Sequence, residues 1–331
     1  MPTHIELEFS NEPFEECKES VIVSITDVHG RQQERVRLGV VDAESVYKKI
    51  EAKEPVTLDL RYVKDFSLKT YRETRSLGKD EVIELPDFSA SWAYFDGIEP
   101  KDFSHSEFTG TVTSFANSLF GDGPLSFFTA KFNASMTDFS LSHFGAGAAN
   151  FQYASFKSKT ISFDQALFET GDIHFVNCDF GDSNISFREV NFGIGKVDFH
   201  YTRFGKGLIT FDKSIFGGGE VSFKRVDFGD GKVDFKRTQF GDGEIDFSEA
   251  DFRSGKVIFR SAAFGDGNIT FQEAVSTSDF IFDNATFGNG SLSFFNASAR
   301  MLSFKLCQFN NYVDLRVNEV EKLDLSDTIV R

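Results

Sequence analysis

Val233-Asp234-Phe235-Lys236-Arg237-Thr238-Gln239-Phe240-Gly241-Asp242-Gly243-Glu244 holds one copy of the pattern that governs this chain. Outward from it in both directions, phenylalanine recurs at alternating steps of five and seven residues, filling all 29 such positions from Phe103 to Phe271. A twelve-residue period sustained over fourteen repeats is the mark of a solenoid. In an extended chain, residues two apart share a side, so Val233 and Phe235 face inward together, as do Thr238 and Phe240.

The slot before the first phenylalanine of each unit is an aliphatic such as Ile173, Val197, Ile209 or Val221. Before the second it is small, as in Ser142, Ala154, Cys178, Thr202 and Ala250. Large beside small, repeated, fills a narrow interior without voids. Glycine pairs such as Gly205/Gly207, Gly229/Gly231 and Gly241/Gly243 follow the second phenylalanine. They mark the longer corner of each coil, where backbones stack closely or take positive φ.

Ala154-Ser155-Phe156, Ala166-Leu167-Phe168, Cys178-Asp179-Phe180 and Ala250-Asp251-Phe252 set a small residue two before a phenylalanine, and near the C-terminus the plain five-residue spacing returns in Phe304 and Phe309 and then in Leu315, Val320, Leu325 and Val330. On these residues the stretch from about Phe88 to Arg331 resembles the pentapeptide-repeat family. That resemblance implies a right-handed, four-sided parallel β-helix, here with every second pentapeptide lengthened by two residues. A coil of two repeats, 24 residues, accommodates the aromatic interior better than a twelve-residue coil with a perimeter of only ~40 Å. Nine or ten such coils at ~4.8 Å give a rod on the order of 45 Å long.

Residues 1–87 lack the repeat and read as a small α+β domain, leaving 88–331 as the phenylalanine-cored β-helix of a mainly β protein. Strands are expected at Ile5–Phe9, Val21–Thr26, Arg35–Val41 and Val56–Arg61. A helix is expected from Ala43 to Lys53, capped by Asp42, with Val46, Tyr47 and Ile50 on its apolar face and Pro55 after it.

The chain has 331 residues, is 40% hydrophobic and carries a formal net charge of −16. Such acidity argues against direct nucleic-acid binding, which needs Lys and Arg against phosphate. The first 100 residues hold 13 basic and 21 acidic side chains, and the remainder 22 and 30, so each part carries −8. Within the repeats, Lys224, Arg225, Lys232, Lys236 and Arg237 are interleaved with Asp227, Asp230, Asp234 and Asp242. With neither a signal-like start nor an apolar run of ~20 residues, the expected location is the cytoplasm, away from membranes. Cys17, Cys178 and Cys307 are too dispersed for a zinc motif or disulfide framework, and the last two fit the small inward slot as buried hydrophobes.

The Gly-Asp-Gly corners invite a calcium reading, but a ligand ladder needs one residue type on successive coils. The between-glycine position reads Asp122, Ala146, Thr170, Ile194, Gly218, Asp242, Asp266, and the other edge reads Ser158, Asp182, Lys206, Asp230, Ser254. Both fit turn chemistry. His4, His29, His105, His143, His174 and His200 are scattered, and acids such as Asp234 and Asp246 read as solvated surface. The expectation is therefore no catalytic residue, no cofactor and no metal.

What remains is a non-enzymatic interaction scaffold, a rigid rod offering a mixed-charge surface to a protein partner and forming a homodimer through its C-terminal coils. The alternative comes from the resemblance, since some pentapeptide-repeat proteins mimic duplex DNA and modulate type II topoisomerases. The interleaved lysines and arginines break up the continuous acidic stripes that such mimicry requires.

Overall fold

A computed structural model describes residues 4–26, 31–97 and 99–330 of the chain. From residue 57 onward the backbone winds as a parallel β-solenoid of about twelve turns. Successive turns pair in register at 24-residue steps, Ile173 with Val197, Val197 with Val221 and Val221 with Ile245. Each coil therefore contains two of the twelve-residue repeats.

One turn, 197–220, illustrates the four sides. Val197-Asp198-Phe199 forms the first face, Thr202-Arg203-Phe204 the second, Ile209-Thr210-Phe211 the third and Ser214-Ile215-Phe216 the fourth. The outer residue of each triplet pairs with its equivalent one turn away, as in Arg203 with Asp227 and Ile215 with Gln239. The four-sided coil, with an inward small or aliphatic residue and a phenylalanine on every side, is the architecture that the pentapeptide-repeat resemblance implies.

The phenylalanines form stacked columns. Phe223 lies 5.0 Å from Phe199 and 4.8 Å from Phe247, with ring planes 8° and 7° apart. Against the column from the opposite face the same ring is edge-on, 5.7 Å from Phe211 at 82° and 5.6 Å from Phe235 at 78°. Both arrangements suit the aromatic quadrupole and exceed area burial alone by ~0.5–1.5 kcal/mol per pair.

Two kinds of corner connect the faces. The longer one carries the glycine pairs, and close backbone approach is what requires most of them: a Cβ at Gly231 would lie 1.8 Å from the Gly207 carbonyl oxygen. The shorter corner is a turn closed from the small residue back to the phenylalanine, as in Ala166 N–H to Phe163 O at 3.0 Å. Its third residue sits at positive φ although it is rarely glycine, as at Gln165 (59°), Tyr201 (58°), Lys213 (62°) and Ser261 (57°). That strain of ~1–2 kcal/mol per residue is offset by the turn hydrogen bond and by the stack that the turn serves.

In the N-terminal segment, β1 (His4–Ser10), β2 (Ser20–Thr26) and β3 (Gln32–Asp42) form an antiparallel sheet. Helix α1 (Ala43–Glu51) follows, with Asp42 accepting from the Ser45 N–H as its cap, and it ends two residues before the expected Lys53. The expected strand over Val56–Arg61 is a single bridge at Thr57, and β4 begins at Arg61 and runs to Lys64. A second helix, α2 (Leu68–Thr74), has no counterpart in the sequence reading and precedes β5 (Ile83–Pro86) and β6 (Tyr94–Asp96).

Thr57, Tyr62, Ser67 and Ile83 already occupy rungs of the four faces, which is why about twelve turns exist where nine or ten were expected. Val46, Tyr47 and Ile50 of α1 join the same core cluster as the phenylalanines and cover the N-terminal end of the stack. The sheet β1–β2–β3 runs on through β4 and β6 and packs Val21, Val23, Ile25 and Leu38 against Tyr62, Tyr94 and Leu119, forming a second small core.

The corner geometry gives opposite signs for two small substitutions. Gly231→Ala lowers the urea midpoint by the equivalent of roughly 3 kcal/mol or more, because the new Cβ has no space. Ser261→Gly leaves the midpoint unchanged or raises it by up to about 1 kcal/mol, because it relieves positive φ at an exposed position.

Candidate functional site

With the interior filled by rings, any site must lie on the outer faces, the corners or the two ends. The outward slot of each triplet is mainly occupied by Asp, Asn, Ser or Thr for a local reason. Asp198 Oδ1 accepts from the His200 N–H at 2.9 Å, Asp246 Oδ1 from Ser248 N–H at 2.7 Å and Asn191 Oδ1 from Gly193 N–H at 3.0 Å. Each starts the turn two residues on, the usual role of these side chains at corners.

Corner carboxylates bind the next coil. Asp242 Oδ1 accepts from Asp266 N–H at 3.0 Å and Asp182 Oδ1 from Lys206 N–H at 3.0 Å. Ser254 donates to Asp230 at 2.8 Å, and this bond holds the Asp230 carboxyl below the usual range. Among the described residues, no group of three or more His, Cys, Asp or Glu is placed to hold a metal ion.

Ion pairs join neighbouring coils along the surface: Arg203 with Asp179 at 2.6 Å, Lys213 with Glu189 at 2.8 Å, Arg225 with Glu249 at 2.7 Å and Arg237 with Asp212 at 2.6 Å. These pairs are solvent-exposed and individually contribute little to stability. Their effect is on the pattern, since acids along the rod alternate with bases.

The histidines stay apart. His105 meets Thr129 through Nδ1 at 2.8 Å and lies 3.4 Å from Asp80, His143 is buried against Glu169 at 3.0 Å, and His200 stacks on Tyr201 with centroids 4.3 Å apart. His4 lies 3.5 Å from Glu6, His174 sits half-buried on the first face, and His29 is outside the described residues. Asp234, expected at the solvated surface, is instead buried and faces Lys232 at 2.6 Å on the third face, whereas half-buried Asp246 belongs to the first.

Cys178 and Cys307 occupy inward small slots, as their spacing indicates. Their thiols donate to the carbonyls of Phe151 at 2.9 Å and Phe282 at 3.1 Å, the bond that Ser142 makes to Phe115 at 2.6 Å in the same slot. Burial raises both thiol pKa values, that of Cys307 to about 11.

The irregular first turns hold polar groups that no repeat position announces. Lys101 fills an inward slot otherwise aliphatic and donates to the carbonyls of Gly97 at 2.5 Å and Gly121 at 3.0 Å. Burial pulls its ammonium pKa down, while Asp96 and Asp122 oppose the shift. Beside it Asp96 accepts from the hydroxyls of Tyr62 at 2.5 Å and Tyr94 at 3.1 Å. Arg72 of α2 is buried against Asp102 at 3.1 Å and the Ser104 carbonyl at 3.0 Å. The only sequence signal for Lys101 is a lysine two residues before Phe103, in register with the later Ile and Val. These groups tie irregular backbone together and are not arranged as nucleophile, base and oxyanion donor.

No protein-family model matches the chain, and no curated protein matches it. Among solved structures it is similar to HetL, a pentapeptide repeat protein involved in heterocyst differentiation regulation from the cyanobacterium Nostoc sp., with 11% identity over 87% of this chain and 94% of that one. The TM-score is 0.20, and identity and score are both too low for that likeness to bear on fold or function. No described helix is long and apolar enough to cross a membrane.

Thiol reactivity checks the slot assignment. In native protein at pH 8 an aromatic disulfide reagent titrates one thiol, half-buried Cys17, and reaches Cys178 and Cys307 only on unfolding. Because the folded pKa of Cys307 lies above the unfolded value, its stabilising contribution is full below about pH 9 and is lost as pH rises through about 11.

Proposed function

We propose that this protein is a non-enzymatic scaffold whose rigid, aromatic-cored rod presents its outer faces to a protein partner in the cytoplasm. The supporting observation is the division of labour among residues: inward positions are committed to packing, and outward ones to turns and inter-coil pairs. What varies freely along the rod is surface shape and charge, which is what recognition uses. Cross-coil pairing of Asp179, Asp212, Asp227 and Glu249 with arginines favours this reading over DNA mimicry. A gyrase supercoiling assay with micromolar protein is expected to show no change.

Self-association through the C-terminal coils belongs to the same proposal. There Leu325 and Val330 are exposed, the latter at 73%, in a depression of about 600 Å³ also lined by Phe309 and Leu315. Light scattering at micromolar concentration should give twice the monomer mass, and Leu325→Glu with Val330→Glu should halve it. A monomeric wild type removes the dimer. Failure of full-length protein to retain any specific protein from its native host lysate removes the scaffold.

A further inference from the structure

The N-terminal sheet is finished on one side and unfinished on the other. Its strand order starts at β1, which pairs with β2 over seven residues without a register shift. Among the described residues no strand pairs with the opposite edge of β1. A regular edge of that length presents a row of backbone N–H and C=O groups to solvent. Of the devices that usually close an edge, His4-Ile5-Glu6-Leu7-Glu8-Phe9-Ser10 has only charged side chains, Glu6 and Glu8, and lacks a bulge, a proline or an inward-pointing charge.

The side chains of β1 alternate. Ile5 and Leu7 turn inward, opposite Ile25 and Val23, onto the small core that also holds Tyr62. Phe9 follows on that side, edge-on to Tyr62 with centroids at 5.4 Å, yet remains 60% exposed. Glu6 and Glu8 point to the other face and are exposed. Arg35 reaches Glu8 from two strands away at 3.2 Å in a solvent-exposed pair, and His4 lies 3.5 Å from Glu6.

We infer that the free edge of β1 is a docking site for an extended segment of a partner protein in which apolar residues alternate with lysine or arginine. Strand addition satisfies the open backbone groups, and alternate side chains set specificity. The apolar residues of the incoming strand lie beside Ile5, Leu7 and Phe9, covering the exposed ring. Its basic residues fall opposite Glu6 and Glu8. Like charges directly opposite each other are destabilising, so a second copy of β1 is rejected. Antiparallel pairing centred on Leu7 sets Glu6 against Glu8, and parallel in-register pairing sets each glutamate against itself. The inference rests on the scaffold reading and assigns it one surface and one class of partner.

The test uses full-length protein and two labelled nine-residue peptides blocked at both ends, one alternating valine with lysine and the other valine with glutamate. Fluorescence anisotropy at low and at physiological salt should show saturable binding of the lysine peptide, with the glutamate peptide about tenfold weaker or more. The double variant Glu6→Lys with Glu8→Lys, both at exposed positions and confirmed folded by an unchanged melting temperature, should reverse that preference. Equal affinity for both peptides, binding by neither, or an unreversed preference overturns the inference. A wild-type dimer that the double variant disperses also overturns it, because a second copy then occupies the edge. A host protein retained equally by wild type and double variant defeats this site and leaves the scaffold standing. Lysine-peptide binding without any specific host protein defeats the scaffold and leaves the edge.

Discussion

A phenylalanine ring lying flat on the ring one turn below is the contact on which the rest of this fold depends. The spacing of stacked rings, 4.7 Å from Phe247 to Phe271 and 4.8 Å from Phe235 to Phe259, matches the ~4.8 Å separation of paired strands. Backbone pairing and ring stacking can therefore be satisfied together only while every coil keeps its register. That condition fixes the other positions. Glycine is needed where one corner lies on the next, a small residue where a second phenylalanine would collide, and a left-handed residue where the short corner must close within five.

Where the register changes, the aromatic columns are preserved by compensation. Ser276 stands where the spacing would place a phenylalanine, and the following corner is one residue shorter, so that Val257 pairs with Phe280. The Phe280 ring then lies edge-on to Phe252 at 5.0 Å, near the top of the interrupted column. Further on, coils shorten to 22 and then 21 residues, seen in Phe280 with Leu302 and Leu302 with Leu323, as the glycine corners disappear. The column ending at Phe304 continues through this change, 4.9 Å from Phe282.

The repeat made the solenoid and its coil length legible in the sequence, because one residue type at a fixed interval encodes a packing rule that holds everywhere. The cap at Asp42, the apolar face of α1 and the slots of Cys178 and Cys307 were legible for the same kind of reason. Other features were not. Left-handed φ at Tyr201 or Lys213 is invisible because those residues do not favour it, and tertiary stacking imposes it. Helix α2 is too short, at seven residues, for its periodicity to stand out. The early rungs at Thr57 and Tyr62 lack phenylalanine at the repeat interval. Lys101 and Arg72 also bind the Gly121 carbonyl and the Ser104 carbonyl and Asp102 carboxylate respectively, partners 20 or more residues away that only the fold brings near. The outer surface was legible in composition, as mixed charge, but pairing across 24 residues appears only once the coils are stacked.

A core built this way couples each coil mainly to its two neighbours, so stability is distributed along the rod rather than held at one centre. Hydrogen exchange on Phe223→Ala tests that directly, because this ring is fully buried and touches columns on both sides. Loss of the ring costs ~3–5 kcal/mol locally. Protection should fall in the coils between about residues 199 and 247, while Phe120 and its neighbours near the helical cap exchange as in the wild type. An equal loss of protection along the whole chain, or none at residue 223, would contradict a stack held together ring by ring.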